Sequence, residues 1–419
     1  MKKAAHNLSA WQTKRFDAFA VLQRGFDLPN ASRKIGNIPV LGSNGIVGWH
    51  DTARVRGPGV ATGRSGSIGD STFSEIDFWP LNTALYISDF HGNLPRFAHY
   101  FLQWFDLSRF QGGVSVPTLN RNMVHDAEVL VPPKGEQEKI AAVLWKLQRA
   151  IATQDRLIAT TRDLKQSAMA HLFTHGLRGE ALKETELGSM PKSWNLVSLG
   201  DFGRIGNGST PLKTKVEYWS GGKTPWLTSG KIHEGIIESA DQFVSDMAVR
   251  ECHLPVVPKR SLLVAITGQG KTLGNVALVG FDTTISQHLA YVRLDRADVT
   301  PEYLYQYMRS RYEELQEVGR AGGSTKAALT CAFLRDYRLP LPTTDEQRDI
   351  AAALATIDRK LTHHQKKRAA LNDLFQTLLH KLMSAEIRVA DLEIDTSEVT
   401  APTKDHFVDI NKMITSRKK

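Results

Sequence analysis

The chain has 419 residues, of which 41% are apolar and 23% charged, values that are ordinary for a soluble globular protein of about two to three domains. Its net charge of +9 fits a polyanionic partner such as nucleic acid, although charge alone fits a merely basic soluble protein equally well. Cys252 and Cys331 lie far apart in sequence and suggest neither a disulfide framework nor a cysteine metal site. No apolar run reaches the ~18 residues of a membrane span, so we expect no membrane partner and a cytoplasmic location.

Residues 1–133 carry the signals of a small, mostly β domain. An Asn-Gly step at Asn44 predicts a hairpin turn between two apolar runs. A further apolar run leads into a glycine-rich loop that contains Arg64 and Ser65. Residues 95–110 predict a helix whose aromatic side chains recur at helical spacing. Such a stripe is more typical of a core than of a surface that stacks on bases.

A long helix is predicted over residues 134–175, because apolar residues recur there in alternating steps of four and three, which is typical of a heptad seam. Gln154 and Thr161 make the middle of this seam polar. Residues 176–193 are rich in glycine and proline and predict a linker. The residues expected to pair this helix with another are Ile140, Leu144, Leu147, Ile151, Ile158 and Leu172.

The whole pattern then occurs a second time. Glu136-Gln137, at the start of the first long helix, reappears 210 residues later as Glu346-Gln347. Residues 194–342 therefore predict a second, similar β domain, in which we align Thr267 with Thr62 of the first. The loop after this second strand contains Gln269, Lys271 and Thr272.

A second long helix is predicted over residues 343–384, followed by a tail, 385–419, that we expect to be ordered only in part. His363-His364 stands at the middle of its seam, where a polar layer that sets the pairing register is the favoured interpretation. The expected pairing residues of this helix are Ile350, Leu354, Ile357, Leu361, Leu371, Phe375, Leu378 and Leu382.

The predicted fold class is α+β. It consists of two similar, mostly-β target-binding domains with small helices, separated by two long antiparallel helices that form a coiled coil, with an internal pseudo-two-fold repeat.

Two patterns that suggest an enzyme or a metal site are incomplete. The stretch ending in Gly270-Lys271-Thr272 resembles a phosphate-binding loop, but Ala265 occupies the position that requires the first glycine. His171 and His175 have the spacing of two metal ligands on a helix, but no third ligand is nearby. We therefore predict no catalytic and no metal-binding residues.

The candidate DNA contacts are basic and polar residues of the two β-rich regions. Arginine and lysine neutralise phosphates or read guanine, whereas asparagine and glutamine read adenine. Each of these residues could equally be a solvated surface charge. The favoured set is Arg24, Lys34, Asn44, Arg64, Ser65, Gln269, Lys271 and Thr272.

Several stretches, in this order and on a duplicated scaffold, together resemble the specificity (S) subunits of type I restriction-modification systems. They cover nearly the whole chain. The stretches are 23–29 (QRGFDLP), 63–69 (GRSGSIG), 116–120 (VPTLN), 132–141 (PPKGEQEKIA), 172–179 (LFTHGLRG) and 191–194 (PKSW).

The resemblance implies a non-catalytic protein with two target-recognition domains, each reading one half of a split site in double-stranded DNA. It also implies that two modification (methyltransferase) subunits dock on the long helices and that restriction subunits, which translocate and cleave DNA, join the complex. S-adenosylmethionine, ATP and Mg would be bound by those partners and no cofactor by this chain. Two alternatives remain open: a structural coiled-coil adaptor, and an enzyme that modifies DNA by itself.

Overall fold

The computed structural model describes residues 10–112, 117–268, 270–321 and 328–400. It divides into two compact units. Unit 1 comprises residues 1–155 and 366–419, and unit 2 comprises residues 156–365. Both divisions fall within the long helices, at positions that correspond in the two copies of the repeat. Each unit therefore combines one β-rich region with half of each long helix.

The β-rich region of unit 1 is built around a four-stranded antiparallel sheet with the order β2-β8-β5-β6 and a three-stranded sheet with the order β4-β3-β7. β1 pairs with β11, which ties the start of the region to its end. The strands are β1 (Gln12–Arg15), β2 (Val21–Arg24), β3 (Ile38–Gly42), β4 (Gly45–His50), β5 (Gly59–Gly63), β6 (Ser71–Ser74), β7 (Trp79–Pro80), β8 (Ala84–Asp89), β9 (Gln111–Gly112), β10 (Thr118–Leu119) and β11 (Glu128–Val131), and the helices are α1 (Phe16–Phe19), α2 (Pro95–Trp104) and α3 (Arg121–His125).

The first long helix, α4 (Lys134–His175), follows directly, and the chain then forms the β-rich region of unit 2. Its strands are β12 (Leu182–Thr185), β13 (Gly188–Pro191), β14 (Asn195–Ser198), β15 (Ile205–Asn207), β16 (Thr224–Leu227), β17 (Ile236–Ile237), β18 (Gln242–Val244), β19 (Leu262–Ala265), β20 (Val276–Val279), β21 (Thr284–Ile285), β22 (Leu289–Val292) and β23 (Arg338–Leu341). Its helices are α5 (Asp246–Glu251), α6 (Pro301–Ser310), α7 (Tyr312–Ala321) and α8 (Cys331–Asp336). The second long helix, α9 (Thr344–Met383), and the short α10 (Ser397–Thr400) complete the described chain.

The two β-rich regions share a strand order. The sheet β15-β22-β19-β20-β17 of unit 2 repeats the order of β2-β8-β5-β6 and adds β17 at one edge. The sheet β18-β16-β21 likewise repeats β4-β3-β7, including the one parallel pair in each. β14 pairs with β23 as β1 pairs with β11. This repeated topology agrees with the expected pair of similar, mostly-β domains that contain small helices.

The apolar side chains predicted by periodicity form the cores. In unit 1, Phe97, Tyr100 and Phe101 of α2 are buried, and the ring of Phe375 packs 6.1 Å from that of Tyr100. In unit 2, α6 buries the corresponding residues, among them Tyr303. The aromatic stripes are therefore core, as expected from their helical spacing.

The apolar seam positions of α4 and α9 are buried or half-buried in both units. The polar seam positions Gln154, Thr161 and Lys165 are also buried, whereas Arg368 is exposed. In unit 1, Asp155 accepts a hydrogen bond from Arg368 at 3.2 Å. In unit 2, Lys165 lies 2.6 Å from Asp358, which also accepts hydrogen bonds from Gln306. Arg368 and Lys165 thus each have an acidic partner on the facing long helix.

Strand register corrects the alignment of Thr267 with Thr62. Ala61 pairs with Tyr86 in unit 1, and Leu263 pairs with Tyr291 in unit 2. If the two tyrosines correspond, Thr62 corresponds to Val264 and lies inside a strand, whereas Thr267 lies in the loop beyond it. The sequence alignment was wrong because it matched glycines in the loops after β5 and β19. These two loops differ in length, so the correspondence is set by the paired strands instead.

The segment predicted as a linker contains regular structure, and the described part of the predicted tail packs on unit 1. Residues 176–193 contain the hairpin β12–β13. Residues 385–400 pack on unit 1, where Val389 and Val399 are 3% and 7% exposed. The remainder of the predicted tail, 401–419, lies outside the described residues. Within the described ranges, no helix is long and apolar enough to cross a bilayer.

Candidate nucleic-acid interface

One end of the four-stranded sheet of unit 1 gathers most of the predicted DNA contacts of that unit. Arg24 is the last residue of β2, and β5 runs at the same end into the loop of residues 64–69. The β3–β4 hairpin turn, with the exposed Asn44, lies against this loop, since a Cβ added at Gly63 would stand 2.7 Å from the backbone oxygen of Ser43. The hairpin predicted from the Asn-Gly step is present, with Ser43 and Asn44 as its turn residues.

The loop after β5 is held in place by backbone hydrogen bonds on both sides. Arg64 donates its amide to the carbonyl oxygen of Thr83 at 2.9 Å and accepts from the amide of Leu119 at 2.8 Å. Its half-buried guanidinium group lies 3.4 Å from the carbonyl oxygen of Asn82. A loop fixed in this way can present backbone and side-chain donors to a ligand with little loss of conformational entropy.

The corresponding loop of unit 2 follows β19 and presents Lys271 and Thr272. The hydroxyl of Tyr312 donates to the carbonyl oxygen of Lys271 at 2.8 Å, while the Lys271 side chain is exposed. The Thr272 hydroxyl lies 3.3 Å from His233 Nε2. This loop leads into the antiparallel strand β20, whereas a nucleotide-binding phosphate loop leads into a helix. Its topology therefore rules out that resemblance.

The structure does not bring every predicted residue to these sheet ends. Lys34 lies at the opposite end of the β3–β4 hairpin from Asn44, where its amide donates to His50 Nδ1 at 3.1 Å. Gln269 lies outside the described residues. Lys215 and Lys231, two other basic residues of the β-rich region of unit 2, are ion-paired with acidic residues of their own unit. Their charge is therefore less available to a phosphate.

A polar network that sequence reasoning missed joins each long helix to its β-rich region. In unit 1, Gln137 accepts a hydrogen bond from the amide of Leu94 at 3.0 Å and donates to the carbonyl oxygen of Pro132 at 2.9 Å. In unit 2, Gln347 makes the equivalent bonds, accepting from the amide of Thr300 at 2.8 Å. Each glutamine accepts from the amide of the residue just before α2 or α6, and neither helix has a side-chain cap of its own. The sequence signal that could have revealed these networks is the repeated Glu-Gln pair.

The glutamates of the same pairs, Glu136 and Glu346, are buried. Glu136 Oε2 accepts from Trp11 Nε1 at 2.9 Å, and Arg388 holds both carboxylate oxygens at 2.7 and 2.8 Å. Burial would raise the pKa of Glu136, but the hydrogen bonds from Arg388 and Trp11 outweigh it and hold the pKa below its usual value. The side chain therefore remains ionised at neutral pH and fixes the tail to α4.

The equivalent glutamate of unit 2 is held differently. Glu346 accepts from Trp194 Nε1 at 3.1 Å and from the amide of Leu177 at 2.9 Å, while Arg178 stands farther away at 3.7 Å. Gly176, at φ 64°, permits this approach, because a Cβ there would stand 2.6 Å from Glu346 Oε1. Tryptophan, glutamate and arginine thus form the same group twice, with the ion pair tight only in unit 1.

Two arrangements that could suggest catalysis or metal binding have structural explanations. Ser71 Oγ lies 3.0 Å from His99 Nδ1, but burial and the charge of Arg96 lower the pKa of His99 to about 3. An imidazole that resists protonation to this degree is a poor general base at neutral pH. His171 and His175 stack with their rings 4.7 Å apart. Across the described ranges, no three metal-ligating side chains form a group.

Comparison with known proteins identifies the family that has this architecture. The model of the type I restriction modification DNA specificity domain matches residues 9–160 and 191–373. The chain belongs to this family. The two matched regions contain β1 to β11, β14 to β23 and most of both long helices.

Two curated members of the type I restriction enzyme specificity subunits show the range of similarity. The MjaIX specificity subunit of Methanocaldococcus jannaschii is 31% identical over 209 residues, which cover 48% of this chain and 47% of that protein. The EcoR124I/EcoR124II specificity subunit of Escherichia coli is 22% identical over 233 residues, which cover 55% of each. The chain thus matches about half the length of these relatives.

Solved structures extend the similarity of fold to nearly the whole chain. The type I restriction-modification S subunit from M. genitalium superposes with a TM-score of 0.63 at 17% identity, covering 91% of this chain and 98% of that one. A chain from a structural study of complex assembly and conformational transition of the type I system superposes with a TM-score of 0.55 at 18% identity, covering 89% and 97%. The fold of this family member is therefore that of the specificity subunits.

Proposed function

We propose that this chain is the DNA-binding specificity subunit of a type I restriction-modification complex and that each unit reads one half of a bipartite duplex target. The observation that carries the proposal is the repeated strand order, which ends in each unit in a fixed loop bearing basic and polar residues. Such loops can combine phosphate contacts with base-edge readout. In unit 1 the proposed contacts are Arg24, Asn44, Arg64 and Ser65, and in unit 2 they are Lys271 and Thr272.

We infer that α4 and α9 form an antiparallel coiled coil whose length sets the spacing of the two half-sites, with the units related by a pseudo-two-fold repeat. Support comes from ion pairs in each unit separately. Asp155 with Arg368 and Lys165 with Asp358 join residues that advance along α4 while they recede along α9. The duplicated Glu-Gln networks support the repeat.

The proposal includes two modification subunits docked on the long helices, with restriction subunits joining the complex. It assigns S-adenosylmethionine, ATP and Mg to those partners and no catalytic step to this chain. Exposed leucines at the same position of the repeat support the docking of two identical partners. Leu164 of α4 is 54% exposed, and Leu374, 210 residues later in α9, is 45% exposed. An apolar side chain exposed on both copies is a plausible contact for a partner.

The decisive experiment is methylome sequencing of a host that carries the system with this chain, without it, and with the Arg64→Ala/Lys271→Ala variant. We expect adenine methylation at a bipartite motif that requires this chain and is weakened at both half-sites in the variant. Purified chain with S-adenosylmethionine alone should leave DNA unmodified. Methylation by the chain alone would favour an enzyme, and an unchanged motif without the chain would favour a structural adaptor.

A further inference from the structure

Unit 2 contains a cationic cleft beside the candidate DNA loop. A cavity of about 650 Å³ is walled by α4, by residues 309–313 at the junction of α6 and α7, and by one residue of α9. Four of its lining residues are basic: Arg162, Lys165, Arg309 and Arg311. Lys165 is buried and Arg311 is half-buried, whereas Arg162 and Arg309 are exposed. A buried positive charge requires compensation by a nearby anion.

The protein supplies part of that compensation through two carboxylates, Asp358 and the exposed Glu313, which also lines the cleft. Asp358 alone neutralises both Lys165 and Arg309, at 2.6 and 3.2 Å. Burial, with the charge of Arg309, lowers the pKa of Lys165, which indicates crowding among the cations. Arg311 stacks 5.1 Å above the ring of Tyr307, and its buried Nε has no hydrogen-bond partner in the described part of the chain.

The cleft adjoins the loop that presents Lys271. Tyr312, which lines the cleft, donates its hydroxyl to the carbonyl oxygen of Lys271 at 2.8 Å, and Gln316 of the same helix donates to that of Gly270 at 3.1 Å. Gly274 packs closely on α7, since its Cβ would stand 3.1 Å from Leu315. A duplex that touches Lys271 would therefore have its phosphate backbone within reach of the cleft.

The equivalent cavity of unit 1 has a different chemistry. It also measures about 650 Å³ and also lies where the loop after β5 meets the long helices. Its polar lining includes the amides of Gln103, Gln148 and Asn372 and the carboxylates of Asp70 and Asp155, and contains no lysine or arginine. Phe375 lines it at the position of the repeat that Lys165 occupies in unit 2. The positive charge is thus particular to unit 2.

We propose that the cleft formed by Arg162, Lys165, Arg309 and Arg311 binds a backbone phosphate of the DNA half-site held by unit 2. This rests on the proposed function and gives the two half-sites unequal roles. Contacts in unit 2 carry more of the sequence-independent, salt-sensitive affinity, and unit 1 carries less. Each phosphate neutralised by a basic side chain contributes about 0.9 to the slope of log K against log salt.

The test measures the affinity of the full complex with its modification subunits for cognate and unrelated duplexes at several salt concentrations. Arg162→Gln/Arg311→Gln should flatten the salt slope by about 1 on both duplexes and weaken binding about tenfold at moderate salt. Arg348→Gln/Arg359→Gln removes the same charge from exposed positions of α9 that do not line the cleft, and should leave the slope unchanged. The charge-conserving variant Arg162→Lys/Arg311→Lys should keep most of the wild-type salt slope.

Three other results would contradict the proposal, and a fourth would contradict the proposed function. A cleft variant with the same slope and affinity as its control, while melting at the wild-type temperature, would overturn the proposal. Calorimetry with pyrophosphate gives a second such result. If the cleft variant loses pyrophosphate binding but keeps the wild-type affinity for DNA, the cleft is a site for a free anion and the proposal is overturned. Loss of binding that the lysine variant does not restore would also contradict a charge-based site. If the wild-type complex fails to discriminate between the two duplexes, the proposed function itself fails.

Discussion

At the scale of single residues, the repeated tryptophan–glutamate–arginine groups show how one sequence motif acquires two strengths. In unit 1, the carboxylate of Glu136 is 3% exposed and is held by both nitrogens of the Arg388 fork. In unit 2, Arg178 is 52% exposed and stands 3.7 Å from Glu346. A buried, bidentate pair is costly to break, whereas an exposed and distant one contributes little.

We therefore expect Arg388→Gln to destabilise unit 1 by about 3 kcal/mol, because Glu136 would remain as a buried, incompletely compensated charge. The matched variant Arg178→Gln should cost under about 1 kcal/mol. Differential scanning calorimetry and hydrogen exchange along residues 134–155 would measure both. Equal losses in the two variants would contradict the distinction.

The same pair has a defined pH dependence. The folded-state pKa of Glu136 is lowered from an ordinary value of 4.5, so its stabilising effect is complete above that value and is lost as pH falls through the lowered pKa. The difference in stability between the wild type and Arg388→Gln should shrink on acidification from pH 7 towards about 4. The reason is that protonation of Glu136 in the variant removes the buried charge that has lost its partner.

At the scale of elements, α4 and α9 use one heptad pattern to present two faces. The seam side packs into both cores, and its polar centre is satisfied by facing residues such as Asp358 with Lys165. Next to the seam, the two helices expose Leu164 and Leu374 at corresponding positions of the repeat. Apolar residues exposed twice by a repeat are expected to bind two copies of one partner.

Leu164→Asp and Leu374→Asp should each remove one modification subunit, and the double variant should remove both, because a charge buried in an apolar contact is strongly unfavourable. Mass measurement of the assembled complex by light scattering would give the number of subunits bound. As a control, Thr160→Asp and Ala370→Asp place the same charge one helical turn earlier in each repeat. Retention of two partners by the double leucine variant would exclude these leucines as the docking contact.

At the scale of the whole molecule, the two units divide α4 and α9 after Asp155 and Gln365, which are equivalent in the repeat. Insertion of seven residues at both points preserves the heptad seam and lengthens each helix by about 10 Å. The proposed function then predicts the same two half-sequences separated by about three more base pairs. Methylome sequencing would show it, and an unchanged spacer would eliminate the role of the helices as a ruler.

The sequence by itself determined the features that depend on local periodicity and on duplication. Steps of three and four predicted α4 and α9, the Asn-Gly step predicted the β3–β4 hairpin, and the Glu-Gln repeat predicted two similar units. Such patterns are readable because they arise from short-range backbone geometry and one-sided burial.

Only the tertiary structure decided which residues distant in sequence come together. It corrected the correspondence of Thr62, set by strand pairing, and separated Lys34 from the loop end where Asn44 lies. It joined Arg388 to Glu136 and assembled the cationic cleft around Arg311 from separate helices. These groupings depend on long-range pairing and on competition for buried space, which no local pattern along the chain encodes.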